Sequence, residues 1–122
     1  MKAIGLDHIV LAVSDVERTL RRYEEHLGLE PLRVDEWRKG DAPFPSLRVN
    51  DSMIFDVIVG PRAGENVDHI CLLVDTDDLD ALAASGRFDV VGGPSRLWGA
   101  RGYGQGLYVR DPDGNVLELR HY

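Results

Sequence analysis

Two histidines and two carboxylates stand at matching places in the two halves of this chain. His8 lies in Leu6-Asp7-His8-Ile9-Val10-Leu11-Ala12-Val13, and His69 in Val67-Asp68-His69-Ile70-Cys71-Leu72-Leu73-Val74, an offset of 61 (69 − 8). Ile54-Phe55-Asp56-Val57 matches Val116-Leu117-Glu118-Leu119 at an offset of 62 (118 − 56). Each run therefore carries one polar group that chemistry can use, set among apolar neighbours. A carboxylate buried in an apolar strand is costly unless it is paired or bound to a cation. His8 to Asp56 is 48 residues (56 − 8) and His69 to Glu118 is 49 (118 − 69), so an approximate twofold would gather all four side chains. Two imidazoles and two carboxylates suit a divalent transition metal: Fe, Mn, Ni, Co or Zn. Aspartate reaches less far than glutamate, and without Asp56 the set is His8, His69 and Glu118, a two-histidine, one-carboxylate triad with open positions. A single strand histidine is more often a hydrogen-bonded core residue; the repeat is what turns these two toward a metal. Cys71 shares the face of His69 and reads as a free core thiol. His26 and His121 receive no role.

The elements that must position these residues follow from periodicity. Gly5–Val13 alternates as a strand, with His8, Val10 and Ala12 on one face and Ile9, Leu11 and Val13 on the other. Ser14-Asp15 offers an N-cap to a helix carrying Val16, Leu20, Tyr23 and Leu27 and ending at Gly28. Strands are expected over Glu30–Trp37, Phe44–Asn50 and Met53–Val59, with a tight hairpin at Asn50-Asp51-Ser52. Gly60–Asn66 reads as a linker. The second half repeats the order: strand Val67–Val74, a short helix capped within Thr76-Asp77-Asp78, a weak strand Phe88–Val91, and an irregular Gly-rich stretch Gly92–Gly106. Strand Leu107–Arg110, a turn at Asp111-Pro112-Asp113-Gly114 and strand Val116–His121 close it.

The expected fold is thus α+β: two β-α-β-β-β modules, 1–59 and 67–122 joined by linker 60–66, forming a single domain around a central cleft. Helices would cover Ile9, Leu11, Val13, Ile70, Leu72 and Val74, leaving His8 and His69 facing the cleft. The modules pair either within one chain or between two. The 122 residues are one domain's length. A net charge of −7 argues against nucleic acid as a partner. No apolar run approaches the roughly 20 residues of a membrane span, and Met1–Leu6 lacks a signal peptide's apolar region. One cysteine excludes an internal disulfide and fits a cytoplasmic location.

At these residues the chain resembles the vicinal oxygen chelate superfamily, which includes glyoxalase I, extradiol dioxygenases, fosfomycin-resistance enzymes and bleomycin-binding proteins. The resemblance rests on Leu6-Asp7-His8-Ile9, Tyr23 to Gly28 before Leu29, Val67-Asp68-His69-Ile70, and Asp111-Pro112-Asp113-Gly114-Asn115 followed by Glu118. It implies His8, His69 and Glu118 as metal ligands and Asp56 at the fourth ligand position. It also implies Tyr108 as a catalytic or substrate-contacting tyrosine, and a homodimer as the assembly. No histidine precedes Tyr108 in Gly92–Leu107 as an extradiol enzyme would require, and no lysine stands in the second half as a fosfomycin enzyme would require. Arg33, Arg38, Arg48 and Arg101 are candidates for the carboxylates of a glutathione-like substrate; Trp98, Tyr103, Arg101 and Arg48 join Tyr108 as substrate-binding candidates.

The reading that follows is a metal-dependent enzyme of glyoxalase or dioxygenase type, acting on a small molecule with vicinal oxygens. Glu118 or Asp56 would serve as general base beside a Lewis-acidic metal. The alternative is a metal-free antibiotic-type binding protein, holding a cationic aromatic ligand in an acidic cleft with Trp37, Trp98 and Tyr103.

Overall fold

A computed structural model of the chain describes residues 1–61, 64, 66–110 and 114–122. Among them are eight strands and three helices, an α+β composition with both parallel and antiparallel pairings. Residues 111–113 of the expected turn, and 62, 63 and 65 of the expected linker, lie outside the described residues.

The residues group into two compact units, Ile9–Asp68 and Met1–His8 with His69–Tyr122. In the first, helix α1 (Val16–Leu27) begins where Asp15 accepts a hydrogen bond from the Arg18 N–H at 3.0 Å. It ends at Gly28, whose φ of 67° is open to glycine at little cost. Strands β2 (Glu30–Leu32), β3 (Ser46–Asn50) and β4 (Met53–Val59) form an antiparallel ladder. Val16 and Leu20 of α1 pack on Leu47 and Val57, with Val13, Val34 and Trp37 against them. The strand expected over Glu30–Trp37 stops at Leu32. Arg33 turns the chain with a φ of 60° and a short helix α2 (Val34–Arg38) follows. Its physical reason is packing: Val34 and Trp37, three residues apart, both meet the same apolar cluster, which a helical turn allows and a strand does not.

In the second unit, β5 (Val67–Val74) runs parallel to β8 (Val116–His121), which pairs antiparallel with β7 (Gly102–Arg110), itself antiparallel to β6 (Asp89–Gly99). Helix α3 (Leu79–Ala84) is capped by Asp78, whose carboxylate accepts from the Ala81 N–H at 2.9 Å. Leu79 and Leu82 pack on Val74, Leu107, Val109 and Leu119, the apolar face of this sheet. The alternate positions of the same strands, Cys71, Gly106, Tyr108, Glu118 and Arg120, fall on the opposite face. Ile70, expected beneath a helix, is 38% exposed.

The Gly-rich segment Gly92–Gly106, expected to be irregular, is mostly strand, with register shifts between Val90 and Gly92 and between Gly92 and Ser95. It forms most of the β6–β7 hairpin, with Gly99 paired to Gly102 across Ala100-Arg101. Gly99, Gly104 and Gly106 mark close approach by side chains of β8 and of Tyr122 just beyond it. A Cβ at Gly106 would stand 2.5 Å from Glu118 Oε1, and one at Gly104 would stand 3.0 Å from the Tyr122 ring.

Candidate metal centre

The strand β1 (Ala3–Val13) brings His8 into the second unit, where β5 supplies His69 and β8 supplies Glu118. Register explains the convergence. Glu118 sits between Cys71 of β5 and Tyr108 of β7, and His69 lies two residues before Cys71 on the same face. His8 Nε2 and His69 Nε2 are 3.1 Å apart, and Glu118 Oε2 lies 3.1 Å from the first and 3.2 Å from the second. All three residues are buried. The rings of His8 and His69 meet edge to face at 5.2 Å, and His69 meets Tyr108 likewise at 5.1 Å.

The donor set fits a divalent transition metal. Nitrogen and oxygen ligands about 2.1 Å from one ion, at right angles to each other, stand about 3 Å apart, the spacing of these three atoms. A second group of donors, Asp7, His8 and Cys71, shares His8 with the first. Cys71 is a free, fully buried thiol whose pKa burial pushes up to about 11, so it behaves as a neutral neighbour.

Behind the triad lies a layer of buried polar groups. Asp7 Oδ2 accepts from His8 Nδ1 at 2.7 Å and from the Ala100 N–H of the hairpin turn at 3.1 Å. Asp7 Oδ1 accepts from the Tyr122 hydroxyl at 2.6 Å. Arg120 donates from Nε to Glu118 Oε1 at 2.8 Å, from Nη1 to the Tyr122 hydroxyl at 3.2 Å, and from Nη2 to the Trp98 carbonyl at 2.7 Å. Burial disfavours the charged imidazolium of His8, but hydrogen bonds with Asp7, Cys71 and Glu118 outweigh it and push its pKa up to about 12. Burial would likewise raise the Glu118 pKa, yet hydrogen bonds from His69 and His8 and the Arg120 charge hold it well below the usual carboxylate range.

The remaining sequence candidates distribute as follows. Asp56 belongs to the unit Ile9–Asp68, where its buried carboxylate accepts a hydrogen bond from Ser46 Oγ at 2.5 Å. Arg48, in the same unit, donates to the Asn50 carbonyl. Arg33 and Arg38 line a groove of about 640 Å³ there, with Arg38 bidentate to Glu17. Trp98 and Tyr103 pair on the β6–β7 hairpin at 5.7 Å, with the Arg96 guanidinium 3.8 Å over the Tyr103 ring. Arg101 is exposed; its N–H donates to the Tyr122 hydroxyl at 3.1 Å. Asp7, Arg120 and Tyr122 were not among the candidates. Their signal was present in the alternation of Glu118, Arg120 and Tyr122, which puts all three on one strand face.

The comparisons agree with this fold. The model of the Glyoxalase/Bleomycin resistance protein/Dioxygenase superfamily matches residues 5–119, and the chain belongs to that superfamily. Virulence protein STM3117 of Salmonella typhimurium is 32% identical over 96% of this chain and 83% of its own length. Glyoxalase domain-containing protein RDO1 of Mycosarcoma maydis is 31% identical over 97% of this chain and 68% of that protein. Among solved structures, the 2,3-dioxygenase LapB from Pseudomonas sp. KL28 shares the fold with a TM-score of 0.70. It is 22% identical, over 97% of this chain and 42% of that one. Streptomyces coelicolor methylmalonyl-CoA epimerase shares it with a TM-score of 0.69 and 22% identity, over 98% of this chain and 94% of that one. No helix among the described residues is long and apolar enough to cross a membrane.

Proposed function

We propose that the chain is a divalent-metal-dependent enzyme of its superfamily, acting on a small molecule that presents vicinal oxygens. The observation that carries the reading is the spacing of His8 Nε2, His69 Nε2 and Glu118 Oε2 as three adjacent ligands of one ion. When bound, such a metal supplies Lewis-acid polarisation of substrate oxygens. The chain's own residues do the rest. His8 and His69 give the site neutral donors once their Nε2 atoms are deprotonated. Glu118 gives it one negative oxygen, and Glu118 is also assigned as the general base beside the metal. Tyr108, packed against His69, is assigned to contact the substrate.

Native and elemental mass spectrometry of protein purified without chelators or affinity metals tests this. About one Fe, Mn, Ni, Co or Zn per chain is expected in wild type, and none in a His69→Ala variant with an unchanged circular-dichroism spectrum. The same native spectrum reads assembly, for which a homodimer is proposed. Wild-type protein that carries no metal and takes up none on reconstitution would overturn the reading and leave a metal-free binding protein in its place.

A further inference from the structure

Five polar side chains of this unit close into a ring, which a set of separate structural contacts would not need to do. From His8 Nδ1 it passes to Asp7 Oδ2 (2.7 Å), from Asp7 Oδ1 to the Tyr122 hydroxyl (2.6 Å), and from there to Arg120 Nη1 (3.2 Å). It continues from Arg120 Nε to Glu118 Oε1 (2.8 Å), and Glu118 Oε2 returns to His8 Nε2 at 3.1 Å. We infer that Arg120, acting through this ring with Tyr122 and Asp7, is the positioning residue of the metal centre, fixing which atoms of His8 and Glu118 face the ion. The inference rests on the metal reading above and names the residues that make that site ready.

Each member has one geometry left to it. The Arg120 side chain is fully buried, and its three nitrogens are directed at three different acceptors. A planar guanidinium so held cannot rotate without breaking all of them. By taking Oε1, it leaves Glu118 to present Oε2 alone, as a monodentate ligand. The Tyr122 hydroxyl donates to Asp7 and accepts from Arg120 and from the Arg101 N–H, the full capacity of a phenol. Asp7, with both oxygens engaged, accepts a hydrogen bond from His8 Nδ1–H and so directs Nε2 at the site, as carboxylates behind metal-bound histidines do. The hairpin makes room for the ring. A Cβ at Gly99 would stand 2.6 Å from Arg120 Cζ, and one at Gly106 would stand 2.5 Å from Glu118 Oε1. The sequence repeat sharpens the point: Asp7 and Asp68 precede the two histidines alike, yet Asp7 is fully buried and Asp68 is exposed. His69 meets the ring at Glu118, its Nε2 3.2 Å from Glu118 Oε2, and packs between His8 and Tyr108.

The test is cobalt(II) affinity, read by competition with a chromophoric chelator, in wild type, Tyr122→Phe, Arg120→Gln and the double variant. Each single change is expected to weaken binding roughly ten- to a hundredfold. The double variant should bind no more weakly than the worse single, because both open one ring. Wild-type affinity in folded single variants, or losses that multiply in the double, would overturn the inference. Tyr122→Phe decides alone where Arg120→Gln does not fold. Wild type that binds no cobalt overturns the metal reading instead, and metal-free protein then judges the ring. A low-field, slowly exchanging His8 Nδ1–H proton signal that moves in Tyr122→Phe supports it, and an unmoved signal overturns it.

Discussion

Glu118 divides its two oxygens between two tasks, one held by Arg120 and the other facing His8 and His69. This division has a consequence for acid stability. Unfolded, the carboxyl takes up a proton near pH 4.5, its ordinary value, while in the fold its pKa is lowered. In that range the unfolded state binds more protons than the folded one, so stability rises with pH. The contribution is complete above pH 4.5 and is lost as pH falls toward the lowered folded value. Urea unfolding of metal-free protein from pH 6 to pH 3 is expected to show a slope that Glu118→Gln flattens. An unchanged slope in that variant would mean that other carboxylates carry the acid sensitivity. Glu118→Gln removes the carboxylate hydrogen-bonded to buried Arg120 and leaves it Asp7 Oδ2 at 4.0 Å, so the variant should also be less stable at pH 7.

At the scale of elements, the β6–β7 hairpin is the part of the chain whose role the residue pattern concealed. Glycine-rich sequence disfavours a strand by intrinsic preference, which is why Gly92–Gly106 reads as irregular. Packing overrides that preference, because Glu118 and Arg120 of β8, with Tyr122 just beyond it, occupy the space where side chains at Gly99, Gly104 and Gly106 would stand. Gly106→Ala is the direct check. Its Cβ would meet Glu118 Oε1 at 2.5 Å and Leu97 Cδ1 at 2.8 Å. Overpacking of this kind costs about 1–3 kcal/mol. The variant is expected to lose that much in denaturant unfolding and to bind cobalt more weakly, since the carboxylate must give way. Equal affinity and stability would show that the hairpin leaves Glu118 free to shift. The α2 helix obeys the same rule: a strand is expected over Glu30–Trp37, while the three-residue spacing of Val34 and Trp37 onto one apolar cluster decides the helix.

For the molecule as a whole, the proposed metal would be linked to the fold through the same buried polar layer. A ligand that binds only the folded state at a hundred times its dissociation constant adds about 2.7 kcal/mol. In a chain of this size that raises the melting temperature by roughly 10 °C. Addition of Co(II) to metal-free protein should produce such a rise, excess chelator should abolish it, and His69→Ala should show none. A wild-type melting point indifferent to metal would contradict the site. The sequence by itself determined the repeat, the strands that carry His8, His69 and Glu118, both capped helices and the superfamily, because strand alternation and capping are local properties of the chain. Only the tertiary structure decided that Arg120, Tyr122 and Asp7 stand behind two of those residues, and that the glycines of β6 and β7 accommodate them. Those contacts join Asp7 to Ala100 and Tyr122, residues far apart along the chain, and a buried charge reveals its partner only once the chain has closed around it.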